Sequence, residues 1–284
     1  MKDPDPPDPF VPSNLSRTGS TIEPMGAMIE LTDPEWAVVE DLFDPTGRRG
    51  VPARYPRRRI VEAILFLART GCQWRYLPDP YPPWEAVWQQ WRRWRENGVW
   101  AKAMSRIARL VRKQAKRKTV EPTMVMIDAQ TVRGGRAGPT FHNAGGRGGR
   151  TIGAKRSILI EYLGLPLAVR VDPARPHDVK VGRELLAAGL NDLPLVRDVI
   201  ADRGYRGLAA LTARKHVGLH IKAPPKGGGF VPLAPLYKVE HAFARLGRWR
   251  RLSRCYEGTE ASARAWLEVA CVAYLFARLR TDPT

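Results

Sequence analysis

Met124–Val132 reads MVMIDAQTV, and this stretch constrains the chain more than any other. Four apolar residues run straight into Asp128, and polar residues follow. A short apolar run bounded by polar residues predicts a buried strand. The pattern recurs at Val196–Ala201, which runs straight into Asp202. A chain with two such strands must bury them in a sheet and cover that sheet with helices. Each acid then sits where a rigid strand emerges toward water.

The segments between and after these runs predict alternating strands and helices. Lys155–Glu161 and Leu167–Val171 read as strands of a hairpin, and Asp178–Ala188 as a helix. Leu208–Lys215 reads as a helix and His220–Ala223 as a last short strand. A helix from about Leu236 to Arg245 carries Glu240, and Thr259–Arg280 reads as a long amphipathic closing helix. The expected fold is α+β or α/β, a mixed sheet flanked by helices. Gly134–Gly153 is a Gly/Arg-rich loop expected to be mobile. It lacks the Lys-[Ser/Thr] of a phosphate-binding P-loop, which argues against nucleotide binding there.

Ahead of this region the pattern is helical. Thr32 followed by Asp33, Pro34 and Glu35 is a capping signature. Trp36, Val39, Leu42 and Phe43 form the apolar stripe behind it. A second helix is expected from about Arg57 to Thr70, stopped by Gly71. After a compact connection, Cys72–Pro83, a third begins near Trp84 and ends near Gly98. Trp84, Val87, Trp88 and Trp91 are expected on its inner face, with Gln89, Arg92, Arg93 and Glu96 outside. The Trp residues read as core rather than as a stacking platform. The pair reads as helix-turn-helix-like, and Gln and Arg suit adenine and guanine edges in a major groove. The plain alternative is a solvated charged face. A fourth helix, Val99–Lys116, ends in the basic run Arg112–Lys118, a candidate phosphate contact, and Glu121–Pro122 marks a boundary.

The division expected is a disordered Pro-rich tail at 1–27, a helical DNA-binding domain at 28–120 and a catalytic domain at 121–284. Met25 and Met28 are alternative starts. Charge supports a nucleic-acid partner: 47 Lys and Arg against 28 Asp and Glu give +19. Three cysteines without a CxxC pair fit reduced thiols. The histidines show no zinc-binding spacing. No apolar run approaches the ~18 residues of a membrane span, and the first residues do not resemble a secretory signal. A cytoplasmic, nucleoid-associated bacterial protein is expected, with no membrane partner.

Two strand-end aspartates and a helix glutamate suit a two-metal site. Phosphodiester hydrolysis by that route uses ions roughly 4 Å apart, and Mg²⁺ takes oxygen ligands. Lys155, Arg156, Arg203 and Arg206 flank the acids and are candidate phosphate contacts. So are Arg245, Arg248, Arg250 and Arg251, with Trp249 among them.

The motifs LTDPEW (31–36), RTGCQWRYLP (69–78), WRRWRENGVW (91–100), IDAQTV (127–132), GAKRSILI (153–160), PARPHD (173–178), ADRGYRG (201–207) and VEHAFARLGRWRRL (239–252) occur in this order. Together they resemble the DDE transposases of bacterial insertion sequences, the insertion-sequence-five family within the insertion-sequence-four group. The resemblance implies a ribonuclease H-like fold and the acid triad Asp128, Asp202 and Glu240. It implies two Mg²⁺ or Mn²⁺ ions, with Asp128 bridging them and Asp202 and Glu240 holding one each. It also implies double-stranded DNA as partner, both terminal inverted repeats and target, and a homodimer on DNA. Where the family carries Arg four residues before the glutamate and directly after it, this chain has Leu236 and His241, with Lys238 a candidate substitute. Glu257 and Glu260 are rivals for the third acid. Asp178 is read as a helix cap, with a place near the ions the lesser alternative. The expected activity is metal-dependent DNA cleavage and strand transfer. The alternatives are a catalytically inactive, transposase-derived DNA-binding protein and a ribonuclease H-like nuclease with other substrates.

Overall fold

The computed structural model describes residues 29–45, 53–135, 142, 144–145, 151–223 and 234–281. The expected tail at 1–27, most of the Gly/Arg-rich segment after Gly135 and most of the Pro224–Pro235 loop lie outside the described residues.

Four helices lead: α1 (Asp33–Phe43), α2 (Arg57–Thr70), α3 (Trp84–Glu96) and α4 (Val99–Gln114). The capping box at α1 forms as expected. The Thr32 hydroxyl accepts from the Glu35 N–H, and Glu35 Oε2 accepts from the Thr32 N–H at 2.8 Å. Glu35 also receives Arg280, near the other end of the chain, at 2.6 and 2.9 Å. Burial pushes the Glu35 carboxyl up, but the bonds from Arg280 and Thr32 outweigh it and its pKa is lowered.

Helix α2 is buried along Ile60–Ala68 without a break, because neighbours enclose it on all sides. Gly71 ends it with φ +69°, a left-handed cap that glycine adopts without a Cβ clash. Between α2 and α3 the chain makes a 3₁₀ turn at Trp74–Tyr76. That link is longer than the roughly three-to-four-residue turn of a helix-turn-helix.

The inner face of α3 differs from the expected one. Val87, Gln90, Trp91 and Trp94 are buried, whereas Trp88 is 39% exposed and lies under the Arg92 guanidinium at 5.0 Å. The apolar stripe is centred on Trp91 rather than on Trp88, so Trp94 takes the inward place one turn later.

The sheet follows: β1 (Met124–Arg133), a short β2 (Ala144–Gly145), β3 (Thr151–Glu161), β4 (Pro166–Pro173), then α5 (Asp178–Asp192), β5 (Asp198–Asp202), α6 (Ala209–Arg214) and β6 (Gly218–Lys222). Helices α7 (Tyr237–Leu246) and α8 (Glu260–Thr281) close the chain. The long strands lie in the order β4–β3–β1–β5–β6. β3 runs antiparallel to β1 and β4, while β5 is parallel to β1 and β6 to β5. This mixed order, with one reversed strand, is the ribonuclease H-like arrangement that the resemblance implied.

Two apolar cores flank the sheet. Val125, Ile127, Val199 and Ala201 face α5 and the Tyr205 region. Met126, Ile158, Ile160 and Ile200 face a larger core that continues through α7 and α8 into α1–α4. Trp266 of α8 stacks on Trp91 of α3, centroids 4.3 Å apart, and sits 5.8 Å from Trp74. The leading helices and the closing helix therefore share one interior.

Arg112, expected as a phosphate contact, is buried instead. It pairs with buried Glu161 of β3 and donates to the carbonyls of Val120, Thr119 and Glu121 at 2.7, 3.0 and 3.2 Å. It thus fastens the α4–β1 link to the sheet. Lys113, Lys116, Arg117 and Lys118 remain exposed. The described cysteines, Cys72, Cys255 and Cys271, are free thiols. Among the described residues no helix is long and apolar enough to cross a membrane.

Candidate active site

The two aspartates are aligned by the sheet. β1 and β5 pair in parallel as Met124↔Asp198, Val125↔Val199 and Met126↔Ile200. The ladder ends there, two residues before Asp128 and Asp202, and the charge of Asp202 reaches Asp128. Side chains alternate along a strand. Asp128 therefore projects on the Met126 side and Asp202 on the Ile200 side, which is one and the same face. Helix α7 packs on that face through Val239, Ala242, Phe243 and Leu246, and it touches β1. Glu240, exposed, stands beside the buried Val239.

Asp128 is half-buried, and its Oδ1 accepts from the Ala129 N–H at 2.7 Å. Burial raises its pKa to about 7, against the Ala129 hydrogen bond. The charges of Asp202, Asp178 and Glu240 contribute to that rise. Asp202 and Glu240, the other two acids of the expected triad, thus each act on Asp128. Asp202 caps the 3₁₀ turn Arg203–Leu208, accepting from the Gly204 N–H at 2.9 Å. That bond holds its carboxylate at the strand end.

Asp178 is not the helix cap expected. His177 holds the cap position, and Asp178 opens α5 with its carboxylate 2.6 Å from Lys155 Nζ. Lys155 also donates to the Pro176 carbonyl. The rival acids are engaged elsewhere. Glu257 takes Arg251 at 2.9 Å and the Ser262 hydroxyl at 2.6 Å. Glu260 senses Asp172, Arg170 and Glu184, not Asp128. Among the described residues no three His, Cys, Asp or Glu side chains converge closely enough, as placed, to grip a metal ion.

The basic residues sort by burial. Gln89, Arg92 and Arg93 are exposed on α3, and so are Arg203 and Arg206 beside Asp202 and Arg248 and Arg250 after α7. Lys155 and Arg156, expected at phosphates, are both buried. Lys155 is held as above. Arg156 donates to the Leu252 carbonyl at 2.6 Å, and burial lowers its pKa to about 10, with Cys255 opposing. Arg251 lies against Glu257 and over the Trp266 ring at 4.4 Å, a packing role. Lys238 does not turn to the acids: its Nζ sits 4.2 Å from the Tyr162 ring centroid. Leu236 is buried.

Sequence reasoning missed Tyr205. It follows Asp202 in the DRGY run and is fully enclosed next to Ile127 and Gly182. An aromatic three residues after a strand-end acid was the available signal.

The ribonuclease H-like sheet thus carries Asp128 on β1 and Asp202 at the end of β5, and α7 beside it carries Glu240. Two family models match in tandem. Residues 31–104 match a family described as "Putative transposase of IS4/5 family", and residues 119–226 match the "Transposase DDE domain". The chain is 35% identical over 82 residues to an uncharacterized protein, y4sN, of Sinorhizobium fredii. It is 34% identical over 76 residues to an uncharacterized 16.2 kDa protein of insertion element IS402 from Burkholderia cepacia. These matches take in 28% and 25% of this chain and span 63% and 52% of the relatives' own lengths. The Mos1 transposase, in a paired-end complex with the left transposon end, aligns over 84% of this chain and 81% of its own at 14% identity. Its TM-score of 0.28 is too low to bear on fold or function. The chain belongs to the DDE transposases of insertion sequences.

Proposed function

We propose that the chain cuts and joins DNA at the ends of its insertion sequence, with Asp128, Asp202 and Glu240 as its catalytic acids. One observation carries the reading: Asp128 senses both Asp202, from the neighbouring strand β5, and Glu240, from helix α7.

A divalent ion fits these residues in charge and donor type. Carboxylate oxygens are hard donors suited to Mg²⁺ or Mn²⁺. Burial and the charges of Asp202, Asp178 and Glu240 raise Asp128 to about 7, a charge environment that a cation would relieve. Asp128, Asp202 and Glu240 are the residues that would hold two such ions. When bound, the ions would supply charge neutralisation at the phosphate and an activated water. The chain's own part is to fix the acids on a rigid sheet and to bring Glu240 in from α7. Arg203, Arg206, Arg248 and Arg250 are positioned to hold phosphates around them. In the first step water attacks the phosphodiester at the element end and frees a 3′-hydroxyl. In the second that hydroxyl attacks a target phosphodiester, and the target's own 3′ oxygen leaves.

The helical region at 28–120 would recognise the terminal inverted repeats through Gln89, Arg92 and Arg93, and 121–284 would carry catalysis. A homodimer on DNA would present two ends to one target. Incubation with labelled element-end DNA and Mg²⁺, beside Asp128→Ala, tests the reading. Cleavage by the wild type alone supports it. Binding without cleavage favours the alternative of an inactive, transposase-derived DNA-binding protein. The buried Leu236 and the turning of Lys238 onto Tyr162 speak for that second reading.

A further inference from the structure

Seven of the nine tryptophans pack into or against the larger core, but Trp84 and Trp88 join neither core. They stand four residues apart on one side of α3. Trp88 lies under Arg92, whereas Trp84 opens onto a cleft of about 650 Å³. The α2–α3 link and the start of α3 bring Trp74, Arg75 and Trp84 to this cleft. The segment after α7 brings Arg250, Arg251 and Tyr256.

The walls are held by packing and hydrogen bonds. Trp74 sits 5.8 Å from Trp266, and the Arg251 guanidinium lies 5.9 Å from the Trp74 ring. The Cys255 N–H donates to the Arg133 carbonyl at 2.9 Å, and the Gly135 N–H donates to the Cys255 carbonyl at 2.6 Å. These bonds tie the strand before Tyr256 to the end of β1. The Tyr256 ring rests on the bare α-carbon of Gly135, where a Cβ would fall 2.5 Å from Tyr256 Cδ1. The rest of the ring faces water, and Tyr256 is 53% exposed. Arg75 lies over the Trp84 ring at 5.7 Å. Arg75 and Arg250 are exposed, and among the described residues neither is paired with a carboxylate.

Flat rings beside unpaired cations select for a ligand that carries both π faces and negative charge. Single-stranded nucleic acid does: its bases stack on aromatic rings and its phosphates pair with arginine. A duplex keeps its base faces inside its own stack and could not use the rings. An acidic peptide would answer the cations and leave the rings unmatched. The cleft also lies away from the acids, since Gly135 is seven residues beyond Asp128, roughly 23 Å at the rise of a strand.

We propose that this cleft is a single-strand site, in which an unpaired stretch of DNA stacks its bases on Tyr256 and Trp84 while Arg75 and Arg250 hold its phosphates. The inference rests on DNA as the substrate proposed above, and it needs no metal at the acids. No covalent step is involved.

The test uses the full chain and two labelled probes, a short oligothymidylate and a DNA duplex of the same length, with binding read by fluorescence anisotropy. The quantity compared is the ratio of single-strand to duplex affinity in the wild type, Tyr256→Ala and Tyr256→Phe. That ratio should fall roughly tenfold in Tyr256→Ala and hold in Tyr256→Phe, because the ring and not the hydroxyl stacks. An unchanged ratio in Tyr256→Ala, whether both affinities hold or both fall, would overturn the proposal. An equal fall in Tyr256→Phe would overturn it as well. Arg75→Ala, at an exposed residue, gives a second reading. The slope of log affinity against log salt for the oligothymidylate should flatten by about 0.7, the share of one single-strand phosphate. A slope equal to the wild type's would remove Arg75 and the phosphate path with it. Cleavage of element ends is scored separately, so a wild type that fails to cleave would overturn the acid-site reading and leave the cleft standing.

Discussion

Replacing Asp128 with Asn should stabilise the metal-free protein, and by an amount that depends on pH. The carboxyl's pKa rises from its ordinary 3.8 to about 7 in the fold, first through burial and then through Asp202, Asp178 and Glu240. A raised folded-state pKa means that the protonated form is the one the fold favours. That preference is fully present below pH 3.8, declines as pH rises toward 7 and is gone above it. At 1.36 kcal/mol per pH unit the rise sets an upper bound of about 4 kcal/mol on the cost of the ionised form. Water at the half-buried carboxyl screens part of this, which leaves about 2 kcal/mol. Asn keeps an oxygen for the Ala129 N–H and carries no charge. In EDTA, the Asp128→Asn variant should melt with the wild type near pH 4 and roughly 4–8 °C above it at pH 8. Millimolar Mg²⁺ should narrow the gap by stabilising the wild type alone, since ligands that favour the native state raise its melting point. Parallel pH profiles for the two proteins in EDTA would refute the reasoning. They would mean that Asp128 is solvated and free of its neighbours' charges.

Three further outcomes follow from the packing and the charge. Arg112→Met should cost about 3–5 kcal/mol in urea unfolding, because it leaves the buried Glu161 without its counter-charge; an effect under 1 kcal/mol would show the pair to be solvated. Trp266→Ala should cost about 3–5 kcal/mol, and fluorescence and circular dichroism should still report a single transition, because α3 and α8 share this contact; two separated transitions would count against a common interior. The double change Arg92→Ala with Arg93→Ala should weaken binding to element-end DNA and flatten its salt dependence by up to about two phosphate equivalents. The double change Lys155→Met with Arg156→Met should instead be read in stability, because both side chains are buried.

Much of the local structure was open to reading from residue order. The capping box at Thr32 and Glu35, the stop at Gly71 and the apolar runs into Asp128 and Asp202 are local signals, and each appears where expected. Helix α7 with Glu240 was legible for the same reason, since amphipathic spacing needs no distant partner. The basic residues were not. A Lys and an Arg in adjacent strand positions point to opposite faces, and neighbours far along the chain decide what each one meets. Lys155 meets Asp178, and Arg156 meets the Leu252 carbonyl. The inward turn of Trp94 in place of Trp88 depends likewise on Phe43 and Trp100 arriving from other helices.

By itself, then, the sequence determined where the strands and helices lie, that Asp202 closes β5, and that the chain carries a large positive charge. Periodicity and charge are properties of the chain before it folds. Tertiary structure alone decided that β5 lies beside β1 in the register that pairs Met126 with Ile200, that α8 joins the leading helices in one core, and that Tyr205 lies against both β1 and α5. Strand order and register are set by the pairing of distant backbone and by the burial of whole faces, and no window of local sequence contains that choice.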